Sequence, residues 1–305
     1  MIARYEAEGE EMDGVLILYK EGGMTSQTAV NRVKRLFGVA KAGHTGTLDP
    51  MATGVLPVLV GRGVKASEFM LTSDKHYRAT LLLGITTDTE DVTGEVLSEC
   101  SSIPNESRVR EVIASFVGEY MQVPPMYSAL KRGGEKLCDL ARRGISVERE
   151  PRCVRVHSIG VEKITEREYY LDVHCSKGTY IRTLCKDIGE ALGVGGVMKT
   201  LERTTASGFG IAEAHSLTEL EAMSEEERAG LVLPVERIFL KYPEVILPEF
   251  FERLARCGLE IYLKKIGYSA QVGDTVRLSG KDGFFAVGEV RDFDGGRAIK
   301  PIRQF

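Results

Sequence analysis

The sequence predicts an α+β fold followed by a small C-terminal β-barrel. Apolar runs of strand length at 15–19, 55–60, 77–84, 154–161 and 169–175 are interrupted by helical stripes, without the regular strand–helix–strand period of a doubly wound sheet. Two of these runs, 154–161 and 169–175, read as a hairpin turning across Lys163 to Glu168. Beyond Leu240 the pattern shifts to short runs at 272–278, 284–290 and 297–302, joined by glycine turns. That last unit has about 60 to 65 residues, near the lower limit for independent folding. The division expected is therefore 1–239 and 240–305.

Taken in order, residues 1–12 read as a frayed polar start and 15–19 as a strand. Residues 20–26 form a loop ending in a helix N-cap. Val30, Val33 and Phe37 share a face of the helix that follows, and Gly38 stops it. The run 77–84 reads as a strand and 86–91 as a polar turn. A second helix places Val109, Val112, Ile113 and Phe116 on one side and stops at Gly118. Pro124-Pro125 opens a basic segment reaching Pro151, with little strand pattern, which reads as an insertion projecting from the core (about 124–152). After the hairpin, residues 176–179 turn into a helix with Ile181, Leu184, Ile188 and Leu192 on one face.

Composition narrows the function classes. A chain of 305 residues with 43% hydrophobic and 28% charged residues has the balance of a soluble globular enzyme. No apolar run approaches the roughly 18 residues that span a bilayer, and the acidic N-terminus lacks the layout of a secretory signal. The six cysteines are scattered singly, so neither a zinc cluster nor a disulfide framework is expected, and a reducing cytoplasm is the natural compartment. The net charge of −4 does not by itself indicate a nucleic-acid binder. Charge is unevenly placed, however: Arg142, Arg143, Arg149, Arg152 and Arg155 lie close together, just after Lys131, Arg132 and Lys136. Charge alone favours a solvated surface loop, although a local basic patch on an acidic protein still attracts phosphates.

The most informative stretch is Gly43-His44-Thr45-Gly46-Thr47-Leu48-Asp49-Pro50-Met51-Ala52-Thr53-Gly54. So many small residues contribute little packing and suit a backbone that approaches a ligand closely. Asp49 is its single carboxylate, and Pro50 pushes it out of the helical region. An Asx turn and a catalytic acid are equally good readings of Asp49 taken alone. A phosphate-binding P-loop and a dinucleotide fingerprint are both absent, and no second carboxylate stands nearby as a glycosidase requires. A lone acid in a sheltered site needs a cation, and Arg182 is the candidate. His44, Tyr77 and Tyr180 are candidates to stack on a base. No second ligand stands at useful spacing from His44, so a metal there is not expected.

These segments together resemble the TruB family of tRNA pseudouridine synthases, over nearly the whole chain. The 43–54 stretch is similar to the family's central motif. Gly14-Val15-Leu16 with Lys20 and Thr25-Ser26, Lys75-His76-Tyr77-Arg78-Ala79, Pro124-Pro125-Met126-Tyr127-Ser128-Ala129-Leu130-Lys131 and Cys175 to Leu184 resemble its other blocks. Glu21 and Gln27 depart from the family's usual proline and histidine. The resemblance implies a pseudouridine synthase fold, with a central mixed, mostly antiparallel sheet flanked by helices and a PUA-like C-terminal barrel. It implies isomerisation of the T-loop uridine conventionally numbered 55, by base flipping and an aspartate nucleophile, without cofactor or metal.

Carried over, Asp49 is the nucleophile, Arg182 its partner, and Tyr77 a stacking group that serves in removing the C5 proton. Lys20 supports the site, Tyr180 and Leu201 line the uracil pocket, and His44 fills the space of the flipped base. Lys131, Arg132, Arg142 and Arg143 grip the RNA backbone. Attack at C6, attack at C1′ and formation of a glycal are all compatible with one carboxylate. The implied partner is the T arm of tRNA, met by a cytoplasmic monomer with no protein partner. The alternatives are a non-catalytic RNA-binding or tRNA-folding protein, and a guide-RNA-dependent synthase.

Overall fold

Strand β1 (Gly14–Lys20) is buried along nearly its whole length in the computed structural model, which describes residues 12–71 and 73–305. The polar start expected at 1–12 lies, apart from Met12, outside those residues. Helix α1 (Ser26–Leu36) is capped by Thr25, whose hydroxyl accepts from the Thr28 N–H at 3.0 Å. Ser26 thus becomes the first helical residue, and Val30 and Val33 pack on the sheet. The chain continues through β2 (Ala42–His44), β3 (Thr53–Val60) and β4 (Lys75–Leu83), then α2 (Glu106–Ser115), capped by Asn105. An edge strand, β5 (Gly118–Gln122), precedes the insertion, which holds a short helix, α3 (Leu137–Arg142). The expected hairpin is β6 (Arg152–Lys163) and β7 (Glu168–Cys175), followed by α4 (Ile181–Ala191), β8 (Gly196–Ala206) and β9 (His215–Ser216).

Among the described residues the central sheet runs β9–β1–β3–β8–β4–β7–β6–β5, with β2 also paired to β3. Only the β1/β9 and β3/β8 pairings along this path are parallel, so the sheet is mixed and mostly antiparallel, as expected. Strand β8 sits at its centre, yet the sequence pattern predicts nothing there. Two register shifts, at 198/200 and 203/205, break the period-two alternation by which a strand is recognised. The insertion likewise holds a helix and a small hairpin of Lys131–Arg132 with Glu135–Lys136, where the sequence showed little pattern.

The C-terminal part builds a second sheet from β10 (Glu244–Ile246), β11 (Ile261–Tyr262), β12 (Thr275–Gly280), β13 (Gly283–Phe293) and β14 (Gly296–Gln304). Its order is β10–β12–β13–β14–β11, a half-barrel around Val245, Leu278, Phe285, Val290 and Ile299, with helix α5 (Glu249–Arg256) against it. A seam of aromatic rings joins this sheet to the rest. Phe239 is fully buried, with its centroid 5.1 Å from Phe69, 5.7 Å from Phe284 and 5.4 Å from Phe305. Among the described residues no helix is long and apolar enough to cross a membrane.

Candidate active site

Strand register assembles the site before any side chain is considered. Lys20 of β1 pairs with Gly54 of β3, Gly54 with Arg203 of β8, and Arg203 with Tyr77 of β4. One lateral row across four strands therefore holds three of the residues from which the site is built. Gly54 is the point of closest approach. Its φ is +107°, and a Cβ there would overlap the backbone N and O of Arg203, so only glycine lets the loop return to the sheet at this point.

The loop carrying Asp49 is tied down at its backbone. The Ser26 hydroxyl meets both the N–H (2.8 Å) and the carbonyl (3.1 Å) of Leu48. Lys20 is fully buried, and its Nζ donates to the carbonyls of Glu21, Met24 and Pro50 at 2.9, 2.8 and 3.2 Å. Arg203, buried without a carboxylate partner among the described residues, donates to the Val55 carbonyl at 2.8 Å and the Gly46 carbonyl at 3.1 Å. Burial lowers the Lys20 ammonium to about 8, opposed by the Asp49 carboxylate and assisted by Arg203. Sequence reasoning does not single out Arg203. The signal available is an arginine near the apolar Leu201 position, inside a strand broken by bulges.

Asp49 faces Arg182 through a two-pronged pair, Nε to Oδ2 at 2.8 Å and Nη2 to Oδ1 at 3.1 Å. The Arg182 side chain is only 5% exposed, whereas that of Asp49 keeps 30%, so the acid is held from behind and open in front. The guanidinium also donates to the carbonyls of Thr89 (3.0 Å) and Tyr127 (2.8 Å), and Asp91 lies 3.8 Å away. One side chain thus joins the Asp49 loop, the 86–91 turn and the root of the insertion. Burial raises the Asp49 carboxyl above the ordinary range, Arg182 opposes that shift, and Asp91 adds to it.

Of the remaining predicted residues, Tyr77 and Tyr180 lie near enough to Asp49 to feel its charge. Tyr77 is buried, and burial raises its phenol, so it is a neutral hydroxyl at physiological pH. Leu201, on β8 opposite Ala79, belongs to the same apolar cluster as Tyr77 and Leu48. Tyr180 is the cap residue of α4, and the buried Gln122 clasps it from β5. The Tyr180 N–H donates to Gln122 Oε1 at 2.8 Å, and Gln122 Nε2 donates to the Tyr180 carbonyl at 3.0 Å. His44 ends β2 at the mouth of the loop, and burial with nearby Arg203 lowers its imidazole. Its buried Nδ1 has no hydrogen-bond partner among the described residues. The two departures point away from the acid: Glu21 accepts from Thr218 at 3.3 Å, and Gln27 is exposed and bonded to Asn31.

The basic insertion is less free than its composition suggests. Arg142 pairs with Asp139 at 3.2 Å and Arg143 with Glu135 at 3.0 Å, all exposed. Lys131, Arg132 and Lys136 are exposed and make no ion pair among the described residues. Exposed pairs of this kind are worth at most about 1 kcal/mol, so a phosphate competes readily for the arginines.

Residues 34–181 match the family described as TruB family pseudouridylate synthase (N terminal domain), and residues 182–240 match the tRNA pseudouridylate synthase B C-terminal domain. The chain is 45% identical to the tRNA pseudouridine synthase B of Alkaliphilus oremlandii (strain OhILAs), over 82% of its own length and 83% of that protein. It is 41% identical to the protein of the same name from Aromatoleum aromaticum, over 96% and 92% of the two chains. A chain of the solved Cbf5-Nop10-Gar1 complex superimposes with a TM-score of 0.73 at 26% identity, covering 96% of this chain and 85% of that one.

Proposed function

Because the chain belongs to the TruB family of pseudouridylate synthases, and is thus an isomerase acting on tRNA, we propose that its substrate is the T-loop uridine conventionally numbered 55, which it receives flipped out of the RNA, with Asp49 as nucleophile. The single observation that carries this reading is the Asp49–Arg182 pair, closed behind and 30% exposed in front. The guanidinium opposes the rise that burial gives this carboxyl and so favours its ionised form. A carboxylate so held attacks the nucleoside as the N1–C1′ bond breaks. The uracil turns in place, C5 joins C1′, the C5 proton leaves while N1 takes one up, and Asp49 is released unchanged.

The other residues take supporting roles in this reading. The Tyr77 ring stacks on the uracil, and its neutral hydroxyl serves in removing the C5 proton by passing its own proton on as it takes that one up. Tyr180 and Leu201 close the pocket, and Lys20 and Arg203 hold the loop backbone. His44 takes the space that the extruded base leaves in the RNA, offsetting an unstacking cost of a few kcal/mol. Lys131, Arg132, Arg142 and Arg143 grip phosphates of the T arm. Catalysis belongs to 1–239, and the 240–305 unit is an RNA-docking accessory.

A guide-dependent mode is the second reading, favoured by the likeness to a protein solved in a Cbf5-Nop10-Gar1 complex. Tritium release from C5-labelled uridine in a T-arm stem-loop, with the purified chain alone, separates the readings. Release is expected from the parent, and Asp49→Asn should lose it by roughly 10³-fold or more while still binding the RNA. Wild-type release by Asp49→Asn removes the nucleophile assignment. RNA binding without release by the parent favours a guide-dependent or purely binding protein.

A further inference from the structure

Three of the chain's five histidines meet on the face of the central sheet turned away from Tyr77. His76 follows Lys75 and precedes Tyr77 on β4, and both neighbours are buried, so alternation sends His76 to the opposite side. His174 of β7 is its register partner, and the two rings stack with centroids 3.9 Å apart and planes 16° apart. His157 of β6 falls at a register shift between Val156 and Ser158, and its ring lies 4.4 Å from that of His174. A bulge of this kind re-aims a side chain, and here it brings the third imidazole into line. Asp74, just before β4, completes the group. Its Oδ2 is 3.2 Å from His157 Nε2 and 3.8 Å from His174 Nε2.

We propose that Asp74, His157 and His174 form a binding site for a divalent ion of the Zn²⁺ class, outside the isomerase pocket. One ligand atom from each lies within 4.8 Å of the other two. Two ligands bonded at about 2.0–2.1 Å in a tetrahedron stand about 3.3 Å apart, so the measured separations close onto an ion with small side-chain movements. Two imidazoles and one carboxylate are a borderline-soft donor set that late first-row divalent ions prefer over Mg²⁺ or Ca²⁺. His76 is not a ligand. It stacks on His174 and fixes the plane of that ring. All four side chains are partly or well exposed, which leaves an open approach and a fourth position for water. Coordination through both Nε2 atoms places the ring protons on Nδ1, and any proton shared between His157 and Asp74 is released on binding.

The test uses the full chain with its exposed cysteines removed (Cys153→Ser, Cys257→Ser), titrated with Zn²⁺ against a chromogenic chelator. One equivalent is expected to bind. His157→Ala and His174→Ala should each abolish it, and Asp74→Asn should weaken it at least about tenfold. Pseudouridine formation by these variants is expected to match the parent, which also certifies their fold. Failure of the parent to bind, or binding by the histidine variants as tight as the parent's, overturns the site.

Discussion

Replacing Arg182 by alanine leaves the Asp49 carboxylate facing Asp91 without its counter-charge. The sign follows from the causes of the existing shift: burial and Asp91 already raise this carboxyl, and Arg182 is the main influence lowering it. Its removal raises the group further, so the ionised fraction falls away sooner as pH drops. The acid limb of the kcat/KM profile is expected to move to higher pH in Arg182→Ala. Arg182→Lys keeps the charge but loses the fork, so it should leave the limb near its place and lower the rate about 10²-fold through misplacement. An unmoved limb in Arg182→Ala argues against the pairing. Asp49 and Arg182 were legible in the sequence because a lone acid requires a cation. Arg203 was not, because its importance comes from register with Gly54 and Tyr77, which no local pattern reveals. The Asp74–His157–His174 group was hidden in the same way, since Asp74 lies far in the chain from the hairpin that carries the two histidines.

Among the elements, the insertion separates two classes of basic residue. Among the described residues, Lys131 and Arg132 make no ion pair on their two-residue hairpin strand, whereas Arg142 and Arg143 are already engaged by Asp139 and Glu135. Deleting one cation that neutralises a phosphate should flatten the slope of log affinity against log salt by about 0.7–0.9. The Lys131→Ala/Arg132→Ala pair is expected to flatten it by close to twice that amount, and the Arg142→Ala/Arg143→Ala pair by less. Filter binding of a T-arm stem-loop at several salt concentrations measures both. Equal slopes in parent and first variant would show that this hairpin faces solvent in the complex. Regular elements such as α1, β4, β7 and α4 were readable because one face of each is apolar at a constant period, and β1 because it is a short unbroken apolar run. Strand β8 escaped because its bulges change the period midway. Strand β5 escaped because five residues carry too few alternations to stand out.

For the molecule as a whole, the aromatic seam decides whether the two sheets behave as one body. Phe239, at the boundary read from composition, is fully buried among Phe69, Phe284 and Phe305. Phe239→Ala removes the ring on which the others converge and is expected to cost about 3–5 kcal/mol. Calorimetry should show a lower first transition, with new proteolytic cleavage near 240–243. A single unshifted transition would show that the sheets do not depend on this seam. Composition led to the expectation of a boundary after residue 239, and nothing in it disclosed that Phe239 packs among rings from both sides of that point. Arg182 has a comparable reach across the molecule, since its guanidinium grips the Tyr127 carbonyl at the base of the insertion as well as the Asp49 carboxylate. Under the proposed function, an RNA that pulls on the insertion also pulls on the tether of Asp49. Recognition of the hairpin and readiness for bond cleavage would then be two readouts of one mechanical linkage, and a poorly seated RNA would meet an enzyme that is not yet cocked.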